Sequence, residues 1–304
     1  MTVILYDHED AAAHVTPPGH PEQVARHRAV IDALAGLALL RREAPLAADG
    51  EVLRCHPAAY LQGLREAAPA SGTRQIDADT HLSAGSLNAA MRAVGGACAA
   101  VDAVLAGEAR AAFVAMRPPG HHAEAAVAMG FCLFGTVAIA ARRALEHHGL
   151  SRVAVLDFDV HHGNGTQALL WDEARVLFVS SHQSPLWPGT GAVSERGAHG
   201  QVVNLPLPPG SDGALALSEW RPALERVRNF APELVLISAG FDAHRDDPLA
   251  QLEWDDGDYA ALTRAIVAAA GMAPVVSCLE GGYDLGALGR SARAHVEMLM
   301  EAAE

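Results

Sequence analysis

Short runs of Val, Ile, Leu and Ala alternate along this chain with longer segments whose apolar residues recur every three or four positions. The run Val153-Ala154-Val155-Leu156 is apolar at every position, as expected of a strand buried on both faces of a parallel sheet. Similar runs predict strands near 2–6, 112–116, 153–158, 175–180, 201–205, 234–238 and 275–279. Helical spacing predicts helices over 22–40, 86–106, 131–148, 214–229, 258–271 and 286–301. Strand and helix in alternation argue for an α/β fold, a parallel sheet with helices on both faces. No linker, repeat or low-complexity tract interrupts the pattern, so one domain over 1–304 is expected. A long uncharged stretch, Ala125 to Ala141, is short for a membrane span and contains Gly130, Gly135 and Thr136. It reads as a helix buried behind a strand.

In open parallel sheets ligands collect at the carboxyl ends of the strands. The polar residues of this chain fall there. Arg117-Pro118-Pro119-Gly120-His121-His122 follows the second predicted strand, and Asp157-Phe158-Asp159-Val160-His161-His162-Gly163-Asn164 ends the third. Ser180-Ser181-His182, Phe241-Asp242 and Glu280-Gly281-Gly282-Tyr283 close three others.

Composition narrows the reading. The net charge is −14, and all 22 basic residues are arginine. An acidic surface argues against nucleic-acid binding and favours the approach of cations. Cys55, Cys98, Cys132 and Cys278 are widely spaced in or beside apolar segments, as reduced buried thiols would be. The first residues carry neither a basic leader nor a long apolar run, so a cytoplasmic protein without a membrane anchor is expected.

Asp159, His161 and Asp242 offer two carboxylates and an imidazole, enough for a three-ligand metal site with open positions. Singly, each has a plainer reading: a helix cap for either aspartate, a backbone-bonded loop imidazole for the histidine. Together they favour a metal. One imidazole of the His121–His122 pair could move a proton between water and a leaving amine, unless both are ordinary loop histidines. Tyr283 could donate a hydrogen bond to a developing oxyanion, or simply pack against a strand end.

The ordered motifs Arg117-Pro-Pro-Gly-His-His-Ala123, Gly130-Phe-Cys-Leu-Phe134, Asp157 through Gln167, Ser238-Ala-Gly-Phe-Asp242 and Glu280-Gly-Gly-Tyr283 resemble the histone deacetylase family, most of all its class II and bacterial members. The resemblance runs from His20-Pro21-Glu22 to the C-terminal helix. It implies the arginase/deacetylase fold, with a central, mostly parallel eight-stranded sheet. It implies Zn²⁺ on Asp159, His161 and Asp242, donors that suit Fe²⁺ as well. Water would attack an acetamide carbonyl polarised by the metal and Tyr283, with His122 as general base and then acid. His121, oriented by Asp157, would stabilise charge. Asn164 stands where many class I members have an aspartate behind the second histidine, and it would orient His122 with less support for the imidazolium than a carboxylate gives. Asp157 and Ser180 would hold a structural K⁺. Phe131, Trp187, Leu249, Gly130, Gly281 and Gly282 would line a substrate tunnel, with Asp79 at its mouth as a gate or a plain loop cap. Arg26 and Arg117 would be internal scaffold. The chain departs from the family pattern at Val24, at Gly135-Thr136 and at Trp187, the last bearing on tunnel width.

The expected activity is a zinc-dependent amidohydrolase that frees an acetyl or short acyl group from an acylated amine. An acetyl-lysine peptide, an acetylpolyamine or a small metabolite would serve, and a homo-oligomer would suit bacterial relatives. The same site acting on another small acyl amide or an ester stays open. A two-metal arginase-like ureohydrolase and a non-catalytic binder of acyl ligands are remoter alternatives.

Overall fold

The computed structural model describes residues 2–301. Its strands are β1 (Val3–Asp7), β2 (Leu40–Glu43), β3 (Thr73–Gln75), β4 (His81–Ser83), β5 (Ala111–Val114), β6 (Val153–Asp157), β7 (Val176–Gln183), β8 (Val202–Leu207), β9 (Leu234–Ala239) and β10 (Val275–Leu279). Eight of them form one sheet in the order β2-β1-β5-β10-β9-β6-β7-β8, every pair parallel, while β3 and β4 make a small antiparallel ribbon. The helices are α1 (Ala25–Ala33), α2 (Asp49–Val52), α3 (Ala58–Ala67), α4 (Ser86–Leu105), α5 (Thr136–Glu146), α6 (Asn164–Leu169), α7 (Gly213–Phe230), α8 (Asp256–Ala270) and α9 (Leu285–Glu301). None is long and apolar enough to cross a membrane.

The unbroken apolar runs follow from burial on both sides. Leu5, Phe113, Ala154 and Leu156 pack with Val30, Trp220, Ile266 and Leu299 of α1, α7, α8 and α9. Their strand neighbours Ile4, Ala112, Val153 and Val155 pack on the other face with Val101 of α4 and Val137 of α5. Alternate residues point to opposite faces, so each must be apolar.

The seven predicted strands all form, with ends shifted by at most three residues. The eighth, β2, was not expected and begins at residue 40, where the predicted helix 22–40 was to end. It is an edge strand of sequence Leu-Arg-Arg-Glu, largely exposed, and charged edge strands carry no apolar signal. Helix α1 stops at Ala33, shortly before Gly36. The helix expected over 131–148 begins only at Thr136, because Gly130 and Phe131 turn the chain with φ of 55° and 67°. The uncharged stretch 125–141 is therefore a loop that runs into the start of α5 rather than one buried helix. The short helices α2, α3 and α6 lacked a periodic signal long enough to read.

A core of rings supports the carboxyl edge of the sheet. Phe158 and Phe241, which neighbour the site aspartates in sequence, pack against His295 of α9 at 5.6 and 5.8 Å between ring centroids. His295 is fully buried, with Nδ1 2.7 Å from Thr263 Oγ1 and Nε2 2.8 Å from Ser277 Oγ. Thr263 donates its own proton to the carbonyl of Tyr259, so Nδ1 donates to Thr263 and Nε2 accepts from Ser277. Burial lowers the pKa of His295 to about 3. The unfolded chain thus takes up this proton as pH falls through about 6.5, while the folded chain refuses it until about pH 3. Stability from this group is complete above neutrality and is lost on acidification, by about 1.4 kcal/mol per pH unit. Between pH 6.5 and 5, wild type should lose about 1.6 kcal/mol more than His295→Asn in urea unfolding. Equal losses would remove His295 as an acid-sensitive group.

Candidate active site

The four strands whose carboxyl ends carry the candidate chemistry, β5, β10, β9 and β6, are consecutive neighbours in the sheet. They bring together His121 and His122, Gly281 through Tyr283, Asp242, and Asp157 through His161. Sequence distances of more than 100 residues collapse to hydrogen-bond range because parallel strands in register end at the same level.

Asp157 is the last residue of β6, and beyond it the chain turns rather than continuing as strand. Its Oδ1 accepts from Asp159 N at 3.1 Å, and Asp159 Oδ1 accepts from His161 N at 2.9 Å. Asp242 Oδ1 takes Val160 N at 2.9 Å. Aspartates thus fold this loop around their own carboxylates, and neither Asp159 nor Asp242 caps a helix. His161 Nδ1 lies 3.2 Å from Asp159 Oδ1 and 3.1 Å from Asp242 Oδ2. Among the described residues these three form the one group of metal-capable side chains, with donor atoms all within 4.8 Å of one another.

The residues fit a divalent cation. Burial opposes charge on His161, yet hydrogen bonds to the two carboxylates outweigh it and lift the imidazole to about 10. Burial, and then the neighbouring Asp159, raises Asp242. A proton is held where two carboxylates and a ring nitrogen meet. A cation taking the same three donors would displace that proton and compensate both acids.

The two histidines after β5 have opposite surroundings. His121 Nδ1 is 3.0 Å from Asp157 Oδ2, and its Nε2 is 3.7 Å from Asp159 Oδ1. Burial works against its charge, but Asp159 and Asp157 hold its pKa well above the ordinary value. His122 Nδ1 meets the neutral Asn164 Oδ1 at 2.8 Å. Burial, then His121 and His161, push His122 well below the ordinary value. Burial lifts Asp157 to about 6 although His121 opposes the rise. Asp157 also pairs in register with Ser180 of β7 and Ser238 of β9.

A cavity of about 220 Å³ opens over the site, lined by Phe131, Trp187, Gly130, Leu186, Leu249, Pro21, Asp79, His122, His161 and Tyr283. The Trp187 ring stands edge-on to His122 at 4.7 Å. A Cβ on Gly130 would lie 2.5 Å from His122 Cδ2 and 2.6 Å from Trp187 Cη2, so only glycine passes between these rings. Asp79 Oδ1 accepts from the Thr80 hydroxyl at 3.0 Å, and that hydroxyl accepts from Phe131 N at 3.1 Å. Tyr283 is buried, and burial, then Asp242, keeps its phenol protonated far above neutrality.

Gly281 and Gly282, expected at the tunnel, are not among the residues that line the cavity. Gly281 N donates to Asp159 Oδ2 at 2.8 Å, and a Cβ there would meet Asp242 Oδ2 at 2.2 Å and Asp159 Oδ2 at 2.5 Å. The residue is bare because two carboxylates crowd it. Gly282 packs on Leu288 and Phe241, and its carbonyl accepts from Arg26 Nε. Arg26 and Arg117 clasp the buried Glu22. All four cysteines are free.

The roles of three supporting carboxylates were not legible in the sequence. Glu280 Oε2 accepts from Gly120 N and His121 N at 2.6 and 3.1 Å, which fixes the histidine loop. Asp247 accepts from Tyr283 N at 2.7 Å and Leu249 N at 3.0 Å. Burial, then Asp242, raises Asp247 to about 7. Glu124 accepts from Asn164. Glu280 lies within a recognisable motif and the other two near one, but the partner of each is a distant loop.

Residues 20–299 match the histone deacetylase domain. An uncharacterised protein of Synechocystis sp. is 43% identical over 303 residues, covering 96% of this chain and 97% of its own. The histone deacetylase-like amidohydrolase of Pseudomonas aeruginosa is 40% identical, covering 88% and 74% respectively. The crystal structure of the HDA15 HD domain superposes with a TM-score of 0.93 at 30% identity, over 98% of this chain and 91% of that one.

The crowding at Gly281 leaves no room for a side chain between the two aspartates. Gly281→Ala should push the carboxylates apart and weaken the binding of an added divalent metal ion by about 10- to 100-fold in a chelator competition, with the circular dichroism of the fold retained. Wild-type affinity in that variant would show that the carboxylates have room to spare.

Proposed function

The chain belongs to the histone deacetylase family and is a deacetylase-type hydrolase, and on that premise we propose that it hydrolyses the amide of a linear acylated amine at a single metal ion. The observation that carries this reading is the meeting of Asp159, His161 and Asp242 beside a cavity that His161, His122 and Tyr283 line. Asp159, His161 and Asp242 would hold Zn²⁺, or Fe²⁺ in the same donors. When bound, the ion supplies Lewis acidity to the amide carbonyl and to the attacking water.

The side chains divide the remaining work. Asn164 Oδ1 can only accept, so His122 carries its proton on Nδ1 and keeps a lone pair on Nε2. Nε2 takes a proton from the attacking water and returns it to the leaving nitrogen as the C–N bond breaks. His121, paired with Asp157, keeps its proton and offsets the negative charge of the tetrahedral carbon's oxygen. The Tyr283 hydroxyl donates to that same oxygen, with its backbone anchored on Asp247. Phe131 and Trp187 flank an extended chain and exclude water, and Leu186 and Leu249 complete an apolar wall. At the mouth, Asp79 accepts an N–H from a peptide or an ammonium from a polyamine.

K⁺ at Asp157 and Ser180 is the second cation of this proposal. The buried hydroxyl of Ser238, in the same sheet row, has no hydrogen-bond partner and would suit it. A two-metal ureohydrolase is disfavoured, because the described residues offer one group of metal-capable side chains.

The test is kcat/KM of zinc-loaded enzyme on an acetyl-lysine peptide and on N-acetylated polyamines, with longer acyl amides and an ester alongside. Turnover of an acetylated amine is expected. Inertness toward every amide in the panel, with metal bound, would sink the proposal. Tyr283→Phe should lower kcat by roughly a hundredfold or more with metal content unchanged. Undiminished turnover would take the phenol out of the mechanism.

A further inference from the structure

His121 rests on a carboxylate directly, whereas His122 rests on an amide, and a side-chain amide has two faces of nearly equal shape. With Oδ1 toward His122, the ring must carry its proton on Nδ1 and leave Nε2 free. Flipped, the Nδ2 group would donate to Nδ1, force the ring proton onto Nε2 and abolish the base. Something has to choose, and the choice is visible next to Asn164. Its Nδ2 donates to Glu124 Oε1 at 3.0 Å. A flip would set Asn164 Oδ1 against that carboxylate oxygen, acceptor on acceptor. The remaining neighbours of Nδ2, the His122 carbonyl and Met129 Sδ, are each at 3.5 Å and uncharged, so their preference is weaker.

We infer that Glu124 is a positioning residue: its carboxylate orients the Asn164 amide and thereby holds His122 in the Nδ1-protonated tautomer that leaves Nε2 as the base. The relay is His122–Asn164–Glu124, beside the shorter pair His121–Asp157. Each member sits on fixed backbone. Glu124 opens a turn in which its N–H donates to Val127 O at 3.0 Å, and Asn164 begins α6 with its N–H donating to His162 O at 2.8 Å. Glu124 is half-buried, so its charge is only partly screened. It is neither a member of the metal-capable trio nor part of the cavity lining, and it acts through Asn164.

The role of the base rests on the deacetylase reading above; the tautomer does not. Zinc-loaded wild type, Glu124→Ala, Asn164→Asp and the double variant are compared by imidazole ¹⁵N NMR and by steady-state kinetics. In wild type His122 should show a protonated Nδ1 and a bare Nε2, and in Glu124→Ala a mixture with protonated Nε2. Turnover of Glu124→Ala should fall on the order of tenfold, with KM and zinc content close to wild type. In the Asn164→Asp background the same substitution should cost nothing, because a carboxylate has no amide face to orient. An unchanged tautomer in Glu124→Ala, or an equal loss in both backgrounds, overturns the inference. If wild type is inert toward every acyl amide, it is the functional proposal that fails, and the ¹⁵N spectra alone decide the role of Glu124.

Discussion

Three carboxylates, those of Asp157, Asp159 and Asp242, are buried within a few ångströms at the carboxyl edge of the sheet, and most of the surrounding structure answers their charge. Buried acids without compensation would protonate or unfold their surroundings. Here backbone N–H groups from Asp159, Val160, His161 and Gly281 point at them, and the imidazoles of His121 and His161 lie against them. These contacts reduce the charge without removing it, and a divalent cation held by Asp159, His161 and Asp242 would complete the balance. The order of the sheet makes this assembly possible, because β5, β10, β9 and β6 end side by side and their turns share one space.

The same logic explains what could be read from the chain. Strands buried on both faces announce themselves as unbroken apolar runs, so all but the exposed edge strand of the main sheet were legible, and the polar residues just beyond them marked the site. Asp159, His161 and Asp242 were legible as a set because each ends such a run. Gly281 was legible as important but not as what it is. Its bareness reports two carboxylates pressed against it, whereas the resemblance placed it on the tunnel wall. The roles of Glu280, Asp247 and Glu124 were opaque for one physical reason. Each acts by accepting hydrogen bonds from a loop far away in sequence, and no local periodicity encodes such a partner.

The adjacent histidines show how little of chemistry lies in residue type. His121 and His122 are neighbours with rings 3.8 Å apart, yet one faces carboxylates and the other an amide. Environments that push two titratable groups apart create separate tasks from equal side chains. A charge held on His121 disfavours a second one on His122, so the pair is anticooperative toward protons, and the member with the lower affinity is the one suited to exchange them.

The tunnel walls depend on a strained residue. Phe131 has φ near 67°, a conformation that costs a non-glycine residue on the order of 1–3 kcal/mol. The strain is held by Thr80, whose hydroxyl takes the Phe131 N–H, and by the ring's contacts with His20 and Tyr283 at 4.8 and 5.7 Å. Thr80 is in turn bonded to Asp79, so the acid at the mouth and the aromatic wall are mechanically one unit. Trp187 faces them from a loop and is more exposed. One wall is therefore braced and the other comparatively free. Under the proposed function, differences in substrate width would be absorbed on the tryptophan side, while the phenylalanine side would set the line along which an acylated amine enters.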